Sequence, residues 1–188
     1  MNENHLRVAV IVGSTRNGRF APTVADWFVE QAAQHDGVRP DVIDLVAFDV
    51  PSSLGADADL AAATETLDRA DAFVVITPEY NHSFPGTLKN FIDCHFTQWQ
   101  AKPVAFVSYG GMAGGQRAVE HLRPVFAELH AVTVRDTVSF HNPWGQFGED
   151  GRHLDPAAAN SAAKTMLDQL SWWGQALRAA RTVRPYGI

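Results

Sequence analysis

Residues 72–90 read Ala72-Phe73-Val74-Val75-Ile76-Thr77-Pro78-Glu79-Tyr80-Asn81-His82-Ser83-Phe84-Pro85-Gly86-Thr87-Leu88-Lys89-Asn90. The opening apolar run, rich in β-branched and aromatic residues, is the pattern of a strand covered on both faces. Leu88, Phe91 and Ile92 fall at i, i+3 and i+4 and predict a helix over about 86–95. Between the two lies a polar loop with Pro78 and Pro85 at its ends and Tyr80 within it. In open α/β sheets, a loop at the carboxyl end of a buried strand is where ligands bind.

Working outward, the same alternation repeats along the chain. Residues 6–12 form a nearly continuous β-branched run, predicting a first buried strand, and end at Gly13-Ser14-Thr15-Arg16-Asn17-Gly18-Arg19. Pro22 suits a first helical turn, Val24, Trp27 and Phe28 form an apolar stripe, and Asp36-Gly37 marks the stop. A shorter strand is expected over 41–46, then a loop through Pro51 to Gly55 and an Ala-rich helix over 60–69. After the central strand and its helix, residues 103–108 give a fourth strand that ends in Tyr109-Gly110-Gly111-Met112-Ala113-Gly114-Gly115. The next helix carries Val119, Leu122, Phe126 and Leu129 on one face. Residues 132–140 read as one fifth strand, with Val132, Val134, Val138 and Phe140 on a common face, and 141–154 as an irregular loop. Asp155-Pro156 opens a last helix with Met166, Leu167, Leu170, Trp173 and Leu177 at helical spacing.

Five strands alternating with five helices imply a parallel sheet with helices on both faces and right-handed crossovers. The expected architecture is α/β: a flavodoxin-like three-layer sandwich whose five-stranded parallel sheet has the order 2-1-3-4-5. In that order strands 1, 3 and 4 are neighbours, so the three hydroxyl- and glycine-rich loops that follow them converge on one crevice.

Composition bounds the function. A chain of 188 residues, 46% hydrophobic and 19% charged, fits one domain over 1–188 with a substantial core. The net charge of −6 disfavours nonspecific nucleic-acid binding. A single cysteine, Cys94, excludes an internal disulfide framework and suits a reducing cytoplasm. The polar start at Met1–His5 gives no signal peptide, and no apolar run approaches the roughly 20 residues needed to span a bilayer. No metal-ligand pattern is read.

The loop over 13–19 offers backbone N–H groups, two hydroxyls and two arginines just before a helix, which suits a phosphate monoester. It lacks the Walker Gly-Lys-Ser/Thr and the dinucleotide Gly-x-Gly-x-x-Gly. The loop over 108–115 is nearly free of bulky side chains, so its backbone can approach a flat ligand. The proline-stiffened central loop can present fixed backbone donors and acceptors, as the pyrimidine edge of a flavin requires. The blander readings stand beside these: a glycine turn with solvated arginines, a flexible glycine turn, a packed Tyr80 and a solvent-exposed His82, the last preferred for a histidine with no evident partner.

Taken together, Gly13-Ser14-Thr15-Arg16 with Arg19, Pro78-Glu79-Tyr80-Asn81-His82-Ser83 with Pro85-Gly86 and Leu88-Lys89-Asn90, and Ser108 with Gly110-Gly111 and Gly114-Gly115 resemble the NAD(P)H-dependent FMN reductases of flavodoxin-like fold. The resemblance spans residues 6 to about 130. It implies that Ser14, Thr15, Arg16 and Arg19 bind the FMN phosphate. It implies that Pro78, Glu79, Tyr80 and Asn81 line the ring, with Ser83 assisting, and that Gly110 and Gly111, after Ser108, close its other side. It further implies NADPH or NADH as co-substrate, a homodimer or homotetramer, and a flavin, quinone or similar small molecule as electron acceptor. Hydride passing to the flavin and on to the acceptor needs no side-chain acid or base, so no catalytic residue is assigned. A quinone or azo-compound reductase uses the same site. A non-enzymatic flavodoxin-like carrier is the alternative from another class, disfavoured by a basic phosphate loop and a modest net charge. A domain that has lost its cofactor is a third reading, against which the intact trio of loops argues. The stretch over 141–147 matches no family motif and serves either a partner subunit's site or a surface. Trp99, Trp144, Trp172 and Trp173 are candidate interface anchors, with core packing preferred for Trp173.

Overall fold

The computed structural model describes residues 5–53 and 59–187. Gly55 in the expected loop, and the start of the polar N-terminus, lie outside them. The sheet runs β1 (Leu6–Val12), β2 (Val38–Asp44), β3 (Ala72–Pro78), β4 (Pro103–Gly110), β5 (Val132–Thr133) and β6 (Val138–His141). The helices are α1 (Ala21–Ala33), α2 (Ala61–Arg69), α3 (Gly86–Asp93), α4 (Gln116–Glu128) and α5 (Pro156–Val183). All pairings are parallel in the order β2-β1-β3-β4-β5, with β6 also on β4. This is the expected flavodoxin-like order with a sixth strand.

Burial explains the order. Every residue of β3 and β4 is buried, as are all of β1 but Arg7. One face of the sheet packs on α1 and α5 through residues such as Val10, Val74, Phe28 and Leu170. The other packs on α2, α3 and α4 through Ile11, Phe73, Phe91, Phe106 and Phe126. At the close approach of α5 to β1, Gly174 faces Leu6, and a Cβ there would overlap the Leu6 side chain.

Four expectations are corrected. The second strand begins at Val38 and includes Pro40, which an edge strand, paired on one side alone, tolerates. It ends at Asp44, whose carboxylate accepts from Val46 N at 3.3 Å and turns Leu45–Ala47 into a 3₁₀ turn. The fifth strand is two pieces. β4 pairs Val104 with Thr133 and then Val107 with Val138, so four residues over 134–137 stand opposite two. Arg123 of α4 holds this excursion, donating to Val134 O at 2.9 Å and Arg135 O at 3.1 Å. Because the excess is two residues, the alternation survives, and Val138 and Phe140 still face the core. Among the tryptophans, Trp99 is fully buried, its indole N–H shared between Ile92 O and His95 O, so it anchors the core and no interface. Trp173 is 38% exposed and stacks edge-on against Trp172, because the buried line of α5 runs through Met166, Leu167, Leu170 and Gly174 and leaves it to one side.

Candidate functional site

The carboxyl ends of β1, β3 and β4 lie side by side, with Val12 opposite Ile76, and Thr77 and Pro78 opposite Ser108 and Tyr109. The three loops therefore leave the sheet at one edge. In the first loop, Gly13 N donates to Ile76 O at 2.9 Å, and a Cβ there would come within 2.9 Å of Leu88, so glycine lets this turn pass over α3. Ser14 is fully buried, with its hydroxyl 2.8 Å from Tyr80 Oη. The hydroxyls of Thr15 and Thr87 lie 3.4 Å apart. The two arginines separate in role. Arg19 is clamped bidentately by Asp44, 2.6 Å on each arm, and also donates to Ser14 O at 2.7 Å. The hydrogen bond to Asp44 holds the Arg19 guanidinium firmly charged despite partial burial. Asp44 pairs in register with Val12, so the topology itself delivers this carboxylate to the loop. Arg16 is exposed, and no side-chain partner engages it among the described residues. Helix α1 starts just beyond with no side-chain cap and no acidic residue in its first turn, leaving its N–H groups and positive dipole end available to an anion.

The central loop is a miniature hairpin. Tyr80 N donates to Ser83 O at 2.8 Å and Ser83 N to Tyr80 O at 3.0 Å. Asn81 and His82 both have positive φ, 48° and 74°, the signature of a type I′ turn. Asparagine suits the first of these positions; at the second, glycine is the usual choice, so His82 holds about 1 kcal/mol or more of backbone strain. Its side chain is exposed, as expected. Pro78 is buried at the end of β3, and Glu79 N donates to Tyr109 O. The Glu79 carboxylate accepts from Arg117 N at 3.3 Å and the Arg117 guanidinium at 3.0 Å, so it caps the start of α4. Ser83 Oγ lies 3.0 Å from His121 Nδ1 of α4.

The third loop folds back onto its own strand. Ser108 is fully buried, and its hydroxyl donates to Gly114 O at 2.9 Å, as does Ser139. Gly114 and Gly115 have φ of 59° and 86°, and a Cβ on Gly115 would sit 2.6 Å from Ser108 Cβ and 2.8 Å from Tyr109 N. Gly110 is buried against Gly115 N and Glu79, while Gly111 is exposed. The stretch after β6 braces this loop within the chain: Asn142 N donates to Gly110 O at 2.7 Å, and His141 Nδ1 lies 3.0 Å from Met112 O.

The structure thus brings Ser14, Thr15, Arg16, Tyr80, Asn81, Ser83, Gly110 and Gly111 to one edge. It commits the Arg19, Glu79 and Ser108 side chains to holding the loops. Sequence reasoning missed Asp44, Arg117, His121 and Asn142, and also Tyr109, whose ring is buried and whose hydroxyl has no hydrogen-bond partner. Burial pushes that phenol well up, with Tyr80 adding to the effect, so it stays protonated. The signals for Asp44 and Tyr109 lay in register, as the last residue of β2 and the last but one of β4, beside the expected loops. Two open concavities of about 670 and 900 Å³ lie elsewhere, between α1 and α5, lined by solvated side chains such as Gln31, Gln34, Lys164 and Glu30. Among the described residues there is no cluster of three or more potential metal ligands, and no helix is long and apolar enough to cross a membrane.

Comparison with known proteins agrees with this fold. The sequence model of the family described as NADPH-dependent FMN reductase matches residues 6–145. An NAD(P)H-dependent FMN reductase of Schizosaccharomyces pombe is 33% identical over 123 residues, 60% of this chain and 62% of that one. A quinone reductase of Escherichia coli is 31% identical over 180 residues, 88% of this chain and 90% of that one. Among solved structures, the flavoenzyme NAD(P)H:(acceptor) oxidoreductase of Paracoccus denitrificans superposes with a TM-score of 0.68 at 25% identity, covering 91% of this chain and 98% of that one.

Proposed function

The chain belongs to the NADPH-dependent FMN reductase family, and from that premise we propose that the three convergent loops hold FMN across the carboxyl ends of β1, β3 and β4. It is an FMN-dependent oxidoreductase that draws on NAD(P)H. The observation that carries the placement is the convergence itself. An unpartnered arginine and an uncapped helix start stand beside a stiff type I′ turn, and a glycine platform lies across from it.

Arg16, the Ser14 and Thr15 hydroxyls and the start of α1 receive the phosphate, with Arg19 supporting the loop from below through Ser14 O and Asp44. Pro78, Glu79, Tyr80, Asn81 and Ser83 frame the ring edge, Glu79 through its backbone since its carboxylate serves α4. Gly110 and Gly111 cover the other side, shaped by Ser108 beneath them. When bound, FMN supplies hydride acceptance from a reduced nicotinamide and delivery to a small acceptor. The protein's share is binding, orientation and electrostatics: fixed backbone N–H groups in the central and glycine loops stabilise negative charge at the pyrimidine edge. The acceptor is a quinone or flavin, the working unit is a homodimer or homotetramer with the exposed Trp144 and Trp172 as anchors, the whole chain forms one FMN-binding domain, and its compartment is the cytoplasm.

The test is direct. Purified protein should be yellow, and anaerobic NADPH or NADH should bleach it rapidly. A colourless protein that FMN does not reconstitute refutes the proposal, and a yellow protein bleached only through a reductase partner makes it an electron carrier instead.

A further inference from the structure

Ser14 and Tyr109 together raise a question of hydrogen-bond arithmetic. Tyr109 is 4% exposed, and its hydroxyl is the one buried side-chain polar atom among the described residues with no hydrogen-bond partner. An orphaned buried hydroxyl is costly and is uncommon without a reason. Its surroundings are polar: the Ser14 hydroxyl is close enough to act on the phenol's ionisation without meeting hydrogen-bond geometry, and Arg19, Tyr80 and Asp44 lie about the pair. It remains a hydroxyl because burial keeps the phenol protonated. Ser14, also fully buried, already spends one hydrogen bond on Tyr80 Oη at 2.8 Å.

A serine hydroxyl carries one proton and two lone pairs. With two tyrosines donating to those lone pairs, the proton of Ser14 has one direction left, outward to an acceptor. A phosphate dianion offers acceptors only, so it is the ligand this arrangement selects. We propose that Tyr109 is a positioning residue of the phosphate loop: its orphaned hydroxyl donates to Ser14 Oγ when a phosphate monoester binds, and with Tyr80 it fixes Ser14 as a donor to that phosphate. The inference rests on the FMN placement above and extends it to a residue that touches no part of the flavin.

The experiment compares FMN with riboflavin, which differs by the phosphate alone. Binding of each to flavin-stripped protein is measured by fluorescence quenching for the wild type, Y109F, S14A and the double variant, together with each apo melting temperature. The expected result is that Y109F weakens FMN about tenfold, the worth of one hydrogen bond, and leaves riboflavin unchanged. Its apo melting temperature is equal to or above that of the wild type, because the hydroxyl it removes has no partner. In the S14A background the same change has no further effect on FMN. An unchanged preference for FMN in Y109F overturns the inference. So do equal losses for FMN and riboflavin, a lowered apo melting temperature, or additive losses in the double variant. A wild-type protein that binds neither flavin sinks the FMN reading itself, an outcome distinguishable because it involves no variant.

Discussion

In mild alkali the native chain should gain stability as pH rises, and substituting Lys102→Met should flatten that rise. Lys102 stands just before β4, 8% exposed, with its ammonium donating to Leu67 O at 3.0 Å and Asp68 O at 3.3 Å at the end of α2 and lying 5.4 Å above the Phe73 ring. Burial pushes its pKa down from 10.5 to about 8, with Arg181 adding to the effect, while Asp68 and Asp71 oppose it. Below pH 8 both folded and unfolded chains carry the proton, and the full cost of burying the charge weighs on the fold. Between about 8 and 10.5 the folded chain releases the proton while the unfolded chain keeps it, so stability rises with pH. Integrating that difference from pH 7 to pH 10 gives about 2.5 kcal/mol. With a urea dependence of about 2 kcal/mol per molar for a chain of this size, the unfolding midpoint should move up by about 1 M more in the wild type than in the variant. Urea titrations of both proteins at pH 7, 8, 9 and 10 provide the measurement, and the difference between the two curves removes the contribution of every other group. Parallel curves would refute the reasoning.

Two further outcomes test the site. Gly115→Ala should cost about 2–4 kcal/mol in chemical denaturation and weaken FMN uptake, because a Cβ at φ 86° would press on Ser108 Cβ and Tyr109 N; a variant as stable as the wild type would show that the loop yields. Arg16→Ala should weaken FMN about 10- to 100-fold while sparing riboflavin, as removal of one charge-assisted phosphate contact does, and equal effects on both flavins in a titration would remove Arg16 from the phosphate site.

Much of this architecture was legible along the chain because central parallel strands are written as nearly continuous apolar runs. Residues 6–12, 72–78 and 103–110 are such runs, and their neighbours in the sheet follow from the crossover rule. The glycine and proline punctuation marked the three loops for the same local reason. What stayed hidden depends on partners far along the chain. Nothing near residues 134–137 signals that Arg123 will take their carbonyls, and the strand therefore read as continuous. Trp99 stands between two glutamines and Trp173 on an apolar helical stripe, and only tertiary packing decides that the first is core and the second is half outside. Arg19 reads as a further phosphate ligand beside Arg16, and nothing along the chain signals that β2 will place Asp44 against it. The type I′ turn was masked because histidine occupies its second position, where glycine would have announced it.

The seating of Gly174 on Leu6, with Arg178 donating to His5 O and pairing with Asp71, ties the last helix to the first strand. The order of synthesis then matters. β1 is the central strand on which β2 and β3 assemble, yet of the two helices that cover one of its faces, α1 follows at once and α5 is made some 160 residues later. At roughly 5–20 residues per second, that face waits about ten to thirty seconds for the second of its two helices on the ribosome. The nascent chain carries all three convergent loops before its last helix is made, so a truncation anywhere within α5 should yield a protein with the complete motif set and an aggregation-prone sheet.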